Sequence, residues 1–362
     1  MNYLQSAQAL YEQMVRDRRH LHQHPEVGMD LPETCSYVMA RLTEMGYQPR
    51  RLGGGVTATV TGKPDGKVFL LRADMDALPM REESGLPFAS QRSCAHTCGH
   101  DMHTAMLLGA AQLLRDRAAE LNGTVKFMFQ PGEEVLSGAR SMIEAGILED
   151  PHVDAAMGAH MIPMIPAGLG GYGTGVVSAS SDHLVIRVEG RGGHGAHPQS
   201  TVDPINIGVH IHLALQELLS READPAELVV LTFGKFQGGD AANIIPSSAV
   251  LEGTLRTFSE PLRTHLLERI DTICTCTAEA FRGRAQVTDL CSTCSLQIDG
   301  DTAAAVAQGW QREGLKMLQQ GEKMSGSEDF AEIAARVPST FFVVGGGTAQ
   351  DGCGVSLHNP KI

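Results

Sequence analysis

Apolar positions in this chain alternate between a helical and a strand period. Leu4, Ala7, Tyr11, Met14 and Val15 fall at helical spacing, which predicts one amphipathic helix over roughly the first twenty residues, stopped before Pro25. A second helix is expected from Pro32 to Gly46, because proline suits a first helical position and glycine a helix end. Val56–Thr61 alternates and Val68–Leu71 is continuously apolar, so both read as strands. Helix 103–117, strand Val125–Gln130, helix 138–145 and strand Ala155–Ala159 continue a β/α alternation. That order predicts an α/β fold with a parallel or mixed sheet flanked by helices.

The pattern changes in the segment AGLGGYGTGVVSASS, whose glycines and serines read as a connection. Beyond it come strand His183–Glu189, helix 204–220, strands 228–234 and 249–257, helix 261–282 and strand 285–290. This β-α-β-β-α-β order is ferredoxin-like. Residues 301–313 and 328–335 then read as helices, and Thr340–Val344 as a buried strand. The expected organisation is a larger domain made of 1–180 and 293–362, interrupted by an inserted α+β domain over 181–292.

Composition narrows the function. At 42% hydrophobic and 20% charged residues, the 362-residue chain can bury a sizeable core. Its 29 Lys and Arg against 42 Asp and Glu leave a net charge of −13, which argues against nucleic acid or an anionic membrane as partner. No apolar run approaches the roughly 18 residues of a membrane span. The N-terminus lacks a basic region followed by an apolar one, so the eight cysteines are expected as reduced thiols in the cytoplasm.

Fifteen histidines and forty glycines point to loops that hold a metal. Cys98 and His100 lie two apart ahead of a predicted helix, and an extended loop could aim thiolate and imidazole at one divalent ion. The alternative is a solvated loop in which Asp101 caps the helix. Glu133 and Glu134 follow a predicted strand, where ligands bind in open α/β sheets. In extended backbone their side chains diverge, so one could take a metal while the other faces water or substrate; a solvated turn is the plainer reading. His160 ends another predicted strand, and His358 lies near the C-terminus. Either alone would more often be structural; their co-occurrence with Cys98, His100 and Glu134 favours a metal centre. Cys274 and Cys276 with Cys291 and Cys294 could form a zinc knuckle, but the helical context of the first pair favours ordinary thiols.

Across nearly its whole length the chain resembles the metal-dependent aminoacylase/carboxypeptidase family, in the branch of N-acyl-amino-acid amidohydrolases, hippurate hydrolases and auxin-conjugate hydrolases. The resemblance rests on Arg18-Arg-His-Leu-His-Gln-His-Pro-Glu26, Arg72-Ala-Asp-Met-Asp-Ala-Leu-Pro79, Cys98-Gly-His-Asp-Met-His103 and Gln130-Pro-Gly-Glu-Glu134. It extends to Gly190-Arg-Gly-Gly-His-Gly-Ala-His-Pro198, Asn243-Ile-Ile-Pro246, Gly253-Thr-Leu-Arg256 and Gly326-Ser-Glu-Asp-Phe330. It implies a catalytic domain in which Cys98, His100, Glu134, His160 and His358 hold two divalent ions. Glu133 is then the general base and Asp76 the carboxylate that orients ligand or base. His194 reaches the scissile carbonyl, Asn243 and Arg256 grip the substrate, and the ferredoxin-like domain makes a homodimer. Family members commonly continue as a helix past the last metal histidine, whereas this chain stops at Ile362, so either that helix is absent or the chain is truncated.

The implied reaction is hydrolysis of an N-acyl-amino acid to a carboxylic acid and an amino acid. Zinc or manganese is the expected metal, with cobalt or nickel as alternatives. A dipeptidase, an aminobenzoyl-glutamate hydrolase, or a catalytically silent metal-binding protein on the same fold are the competing expectations.

Overall fold

The computed structural model of the 362-residue chain describes residues 3–319 and 323–362. Its contacts divide the chain into two compact units. One comprises Met1–Val177, Leu296–Glu322 and Glu328–Ile362; the other comprises Ser178–Ser295 and Lys323–Ser327.

The first unit is a mixed α/β fold built on an eight-stranded sheet. In spatial order the strands are Arg50–Leu52, Gly55–Thr61, Asn122–Gln130, Lys63–Asp74, Ala155–Ile162, Ser339–Gly345, Leu169–Tyr172 and Lys316–Gln319. Lys63–Asp74 runs parallel to both its neighbours, while Gly55–Thr61 and Leu169–Tyr172 are antiparallel to Asn122–Gln130 and Ser339–Gly345 respectively. Central strands buried on both faces need continuous apolar runs, and Phe127 to Phe129 and Phe341 to Val344 supply them. Helix Pro32–Glu44 places Cys35, Val38 and Leu42 against Val56, Phe127 and Phe129 in one core cluster.

Several boundaries depart from the sequence reading. The N-terminal helix is two, Tyr3–Ala9 and Tyr11–Gln23, separated at Leu10. Helix His100–Asp116 starts three residues early, so His100 opens the helix rather than lying in an extended loop. Strand Ala155–Ile162 runs through His160 instead of ending before it. The glycine-rich segment is no mere connection, since Leu169–Tyr172 and Gly175–Ser178 are strands. Its glycines answer crowding: a Cβ at Gly170 would lie 2.6 Å from Met317 Sδ, and one at Gly171 would lie 2.8 Å from Val343 Cγ2.

In the second unit, strands Val229–Gly238, Ser248–Thr257, Ser181–Glu189 and Arg284–Thr293 form an antiparallel sheet in that order. Ser248–Thr257 alternates strictly between half-buried and buried positions, as a strand covered on one face should. Helices Pro204–Glu217 and Glu260–Ala280 bring Ile207, Ile211, Leu215, Leu266 and Ile270 onto Leu184, Ile186, Leu251 and Leu255. Asp203 caps the first helix by accepting from the N–H groups of Ile205 and Asn206. Among the described residues no helix is long and apolar enough to cross a membrane, and no disulfide joins the eight cysteines. Neither cysteine pair of the second unit joins a cluster of metal-competent side chains there, so the knuckle finds no support.

Candidate metal centre

The candidate ligands converge at the ends of the first unit's central strands. Gly99 sits between Cys98 and His100 with φ +88°, and this left-handed turn brings the chain sharply into helix His100–Asp116. Cys98 Sγ lies 3.4 Å from His160 Nε2. Cys98, His100 and His160 form one group whose donor atoms all lie within 4.8 Å of one another; Cys98, Glu134 and His358 form another, and His100, Glu133 and Glu134 a third. The structure therefore brings together all five sequence-predicted ligands and Glu133.

The hydrogen bonds decide which atoms remain available. His100 Nδ1 donates to the Asp76 carbonyl oxygen at 2.9 Å, leaving its buried Nε2 without a partner. His160 Nδ1 donates to the Met161 carbonyl oxygen at 2.6 Å, which leaves Nε2 as the acceptor facing Cys98. Glu134 Oε1 is likewise buried without a hydrogen bond. Two orphaned buried polar atoms beside a thiol and a second imidazole are the chemistry a divalent ion satisfies once His100 gives up its proton. His103 also joins a metal-competent group, but both its nitrogens are taken. Nδ1 faces Asp74 Oδ1 at 2.6 Å and Nε2 accepts from the Met161 N–H at 2.8 Å.

Asp76 holds the carboxylate pair from behind. Its two oxygens accept from the backbone N–H groups of Glu133 and Glu134 at 3.0 and 3.2 Å. His358 is pinned through its backbone N–H to the Thr97 carbonyl at 2.8 Å, with Nε2 3.5 Å from Glu134 Oε1. Its side chain remains about half exposed, at 53%.

The protonation states follow from burial and charge. Burial pushes the Cys98 thiol up to about 12, against the pull of His100, so the free chain carries a thiol rather than a thiolate. Burial also raises Glu133 well above the ordinary carboxyl value, and Glu328 adds to the rise. His100 is raised well above its usual value: burial opposes its charge, but Asp74, Cys98 and Asp76 together outweigh it. His160 is lowered by burial and by His103.

Around this centre lies a set of residues to which the sequence reading gave no role. Arg72 is fully buried and donates to Gln130, Asp74, Glu328 and Asp329. The sequence signal was present in the motifs carrying Arg72 and Glu328-Asp329, but only folding brings these positions, some 256 apart, together. His96 is buried with neither ring nitrogen bonded, and burial lowers it to about 4.

The remaining predicted residues lie in the second unit. Gly193–His194 pairs antiparallel with Ile244–Ile245, and the Gly195 N–H donates to the Asn243 carbonyl at 2.9 Å, so Asn243, in the turn just ahead of its strand, lies beside the segment of His194. The Ala196 N–H donates to His194 Nδ1 at 3.1 Å. The neutral ring therefore carries its proton on the exposed Nε2, as a donor. Arg256 is half-buried on strand Ser248–Thr257 and donates to the Ser325 carbonyl at 3.3 Å.

Comparison with known proteins agrees with this donor chemistry. The family model described as Peptidase family M20/M25/M40 matches residues 70–362. The chain belongs to this family. It is 37% identical to an N-acetyl-L-cysteine deacetylase of Bacillus subtilis (strain 168), over 93% of this chain and 81% of that protein. An N-acyl-L-amino acid amidohydrolase of Geobacillus stearothermophilus is 40% identical over 68% of this chain and 67% of its own length. Among solved structures, the Bacillus subtilis YXEP protein, described as a dinuclear metal binding peptidase from the M20 family, superposes with a TM-score of 0.81 at 33% identity. That match covers 98% of this chain and 92% of the other.

Proposed function

We propose that the chain is a metal-dependent amidohydrolase that splits N-acyl-amino acids into a carboxylic acid and an amino acid. The observation that carries the reading is Glu133, a buried carboxylate fixed by Asp76 with Oε2 3.9 Å from His100 Nε2, beside a five-residue donor set that does not need it. Cys98, His100, Glu134, His160 and His358 would hold two divalent ions, zinc or manganese before cobalt or nickel. Such ions lower the pKa of water toward about 7 and polarise an amide carbonyl.

Glu133 takes a proton from the attacking water and returns it to the departing nitrogen. Asp76 holds Glu133 and Glu134 by both backbone amides, in a turn rather than the extended backbone expected from the sequence, so their carboxylates converge near His100 instead of diverging. His194, with its proton on Nε2, donates to the oxygen that gains charge in the transition state. Arg256 grips the free carboxylate of the amino-acid half through its guanidinium fork, and Asn243 positions the amide. The second unit serves as a ferredoxin-like dimerisation domain, and His194 completes the centre of the partner subunit. With no disulfide among its described residues, the chain fits a reducing, cytoplasmic setting.

The test is hydrolysis of a panel of N-acetyl-, N-benzoyl- and dipeptide substrates with each metal restored in turn. Turnover of N-acyl-amino acids is expected. Turnover of dipeptides alone would replace the reading with a dipeptidase, and none at all despite bound metal would leave a silent metal-binding protein.

A further inference from the structure

We infer that Arg72 is a positioning residue for the metal centre, acting through two arms that it never extends to the substrate itself. The inference rests on the metal-hydrolase reading above for its kinetic consequence, but its geometry stands independently. Arg72 lies at the end of strand Lys63–Asp74 with no exposed side-chain surface. A guanidinium so placed persists only where every direction of its fork is met. Here the partners come from three segments far apart in the chain: Asp74 Oδ2 at 2.7 Å, Gln130 Oε1 at 2.9 Å, Glu328 Oε1 at 2.8 Å and Asp329 Oδ1 at 2.9 Å.

One arm runs through Asp74. The carboxylate that accepts from Arg72 also takes the His103 Nδ1 contact at 2.6 Å, and His103 Nε2 in turn accepts the Met161 N–H at 2.8 Å. Met161 carries the carbonyl to which His160 Nδ1 donates, so the arm ends on the ring whose Nε2 faces Cys98. The other arm runs through Asp329. Its carboxylate accepts from Gln130 Nε2 at 2.7 and 2.8 Å and from the Ala139 N–H at 2.9 Å. Those two residues bracket the loop that carries Glu133 and Glu134. Arg72 thus fixes, at one point, the strand that presents His160 and both ends of the turn that presents the carboxylate pair. Outer partners of this kind set ligand direction, and their loss costs roughly 10–100-fold in metal affinity or activity.

Lys126 provides an internal control. It too is a buried cation, on strand Asn122–Gln130, but its Nζ donates to the carbonyl oxygens of Ile147, Glu149 and Pro151 and to no residue of either arm.

The experiment compares Arg72→Met, Arg72→Lys, Asp329→Asn and Lys126→Met in the full chain loaded with zinc. Zinc retention against a competing chelator is read per folded molecule, alongside kcat, KM and thermal melting. For Arg72→Met, zinc retention and kcat should each fall about 10–100-fold with KM within about twofold of wild type. Arg72→Lys should recover only part of the loss, since an ammonium cannot serve four partners as a planar fork does. Asp329→Asn should lower kcat more than zinc retention, because it cuts only the carboxylate arm. Lys126→Met should melt earlier yet hold zinc as wild type does. Wild-type zinc retention in folded Arg72→Met, or equal losses in the Arg72 and Lys126 variants, would overturn the inference. Should Arg72→Met fail to fold, the Arg72→Lys and Asp329→Asn pair carries the same test. A wild-type chain that holds zinc but hydrolyses no N-acyl-amino acid would end the proposed activity and leave the retention result to decide the role of Arg72.

Discussion

The two units of the chain place their chemistry in opposite ways. The first buries charge: Asp17, Arg72, Asp74, Asp76, Asp101, Lys126, Glu133, Glu328 and Asp329 are all buried within it, most in mutual contact. The second has an almost wholly aliphatic core, and Asp182, met by the Arg263 fork at 2.6 and 2.9 Å, is its one buried charge among the described residues. Its functional candidates His194 and Asn243 stand exposed, and Arg256 half-exposed. A metal centre must be rigid and partly dry, and each buried acid then needs a cation or N–H. A group that meets substrate from a loop needs only a donor pointed outward. Changes to the first unit's ligands and to the buried groups that hold them should therefore disturb metal and stability together, while changes at the second unit's loops should disturb turnover alone.

The sharpest separation comes from the carboxylate pair. Glu133→Gln should lower kcat by roughly 10²–10⁴-fold with metal content intact, because an amide cannot accept the water proton. Glu134→Gln should lose metal as well, as elemental analysis would show. Equal metal content in the two variants would erase the division of labour between them. Next comes His194→Ala, for which a kcat loss of about 10²–10³-fold is expected with unchanged melting and metal. If subunits share the site, random mixing of His194→Ala with Glu133→Gln should restore about a quarter of wild-type activity, since each mixed dimer holds one intact centre. Persistent inactivity despite verified exchange would confine His194 to its own chain.

A milder contrast lies in the cores. Leu251→Ala should cost about 2–5 kcal/mol by leaving a cavity in the second unit, without weakening metal retention in the folded fraction. Phe129→Ala, beside Gln130, should cost about 3–5 kcal/mol and weaken retention too. The smallest effect is one of pH. Burial disfavours a charged His22, but Asp101 at 2.8 Å and Glu82 at 3.0 Å outweigh it, and its pKa rises above 6.5. His22 therefore binds its proton more tightly when folded. Its stabilisation is complete below pH 6.5 and is lost as pH climbs through the higher folded value. Melting curves of wild type and His22→Gln should thus converge as pH rises, and a gap that widens would reverse the sign.

Much of this contrast was legible in the sequence. The β/α alternation fixed the order of the first unit's central elements, and the second unit's strands fell within a few residues of their expected positions. The five ligand candidates stood out because each is a metal-competent residue type and most lie beside predicted strands or a predicted helix, although His358 sits in a turn near the C-terminus. Three things were not readable. Leu169–Tyr172 is a strand only because its glycines admit Met317 and Val343, contacts made by residues far along the chain. His103 has the chemistry of a ligand, and only its folded partners, Asp74 and the Met161 N–H, exclude it. Arg72 and Asp329 are ordinary charged residues in sequence, and their joint role exists only where the strands converge.

Gly99 shows what such a centre demands of inheritance. It offers no atom that a metal could use, yet a Cβ there would stand 2.6 Å from Met161 Cε on a backbone at φ +88°. Any other residue would strain the turn that sends Cys98 and His100 toward the same space. A change at this silent position would therefore be felt at the ligands although Gly99 is not one of them. Distant descendants of this centre should accordingly betray themselves by the spacing glycine as much as by the thiol and imidazole it separates.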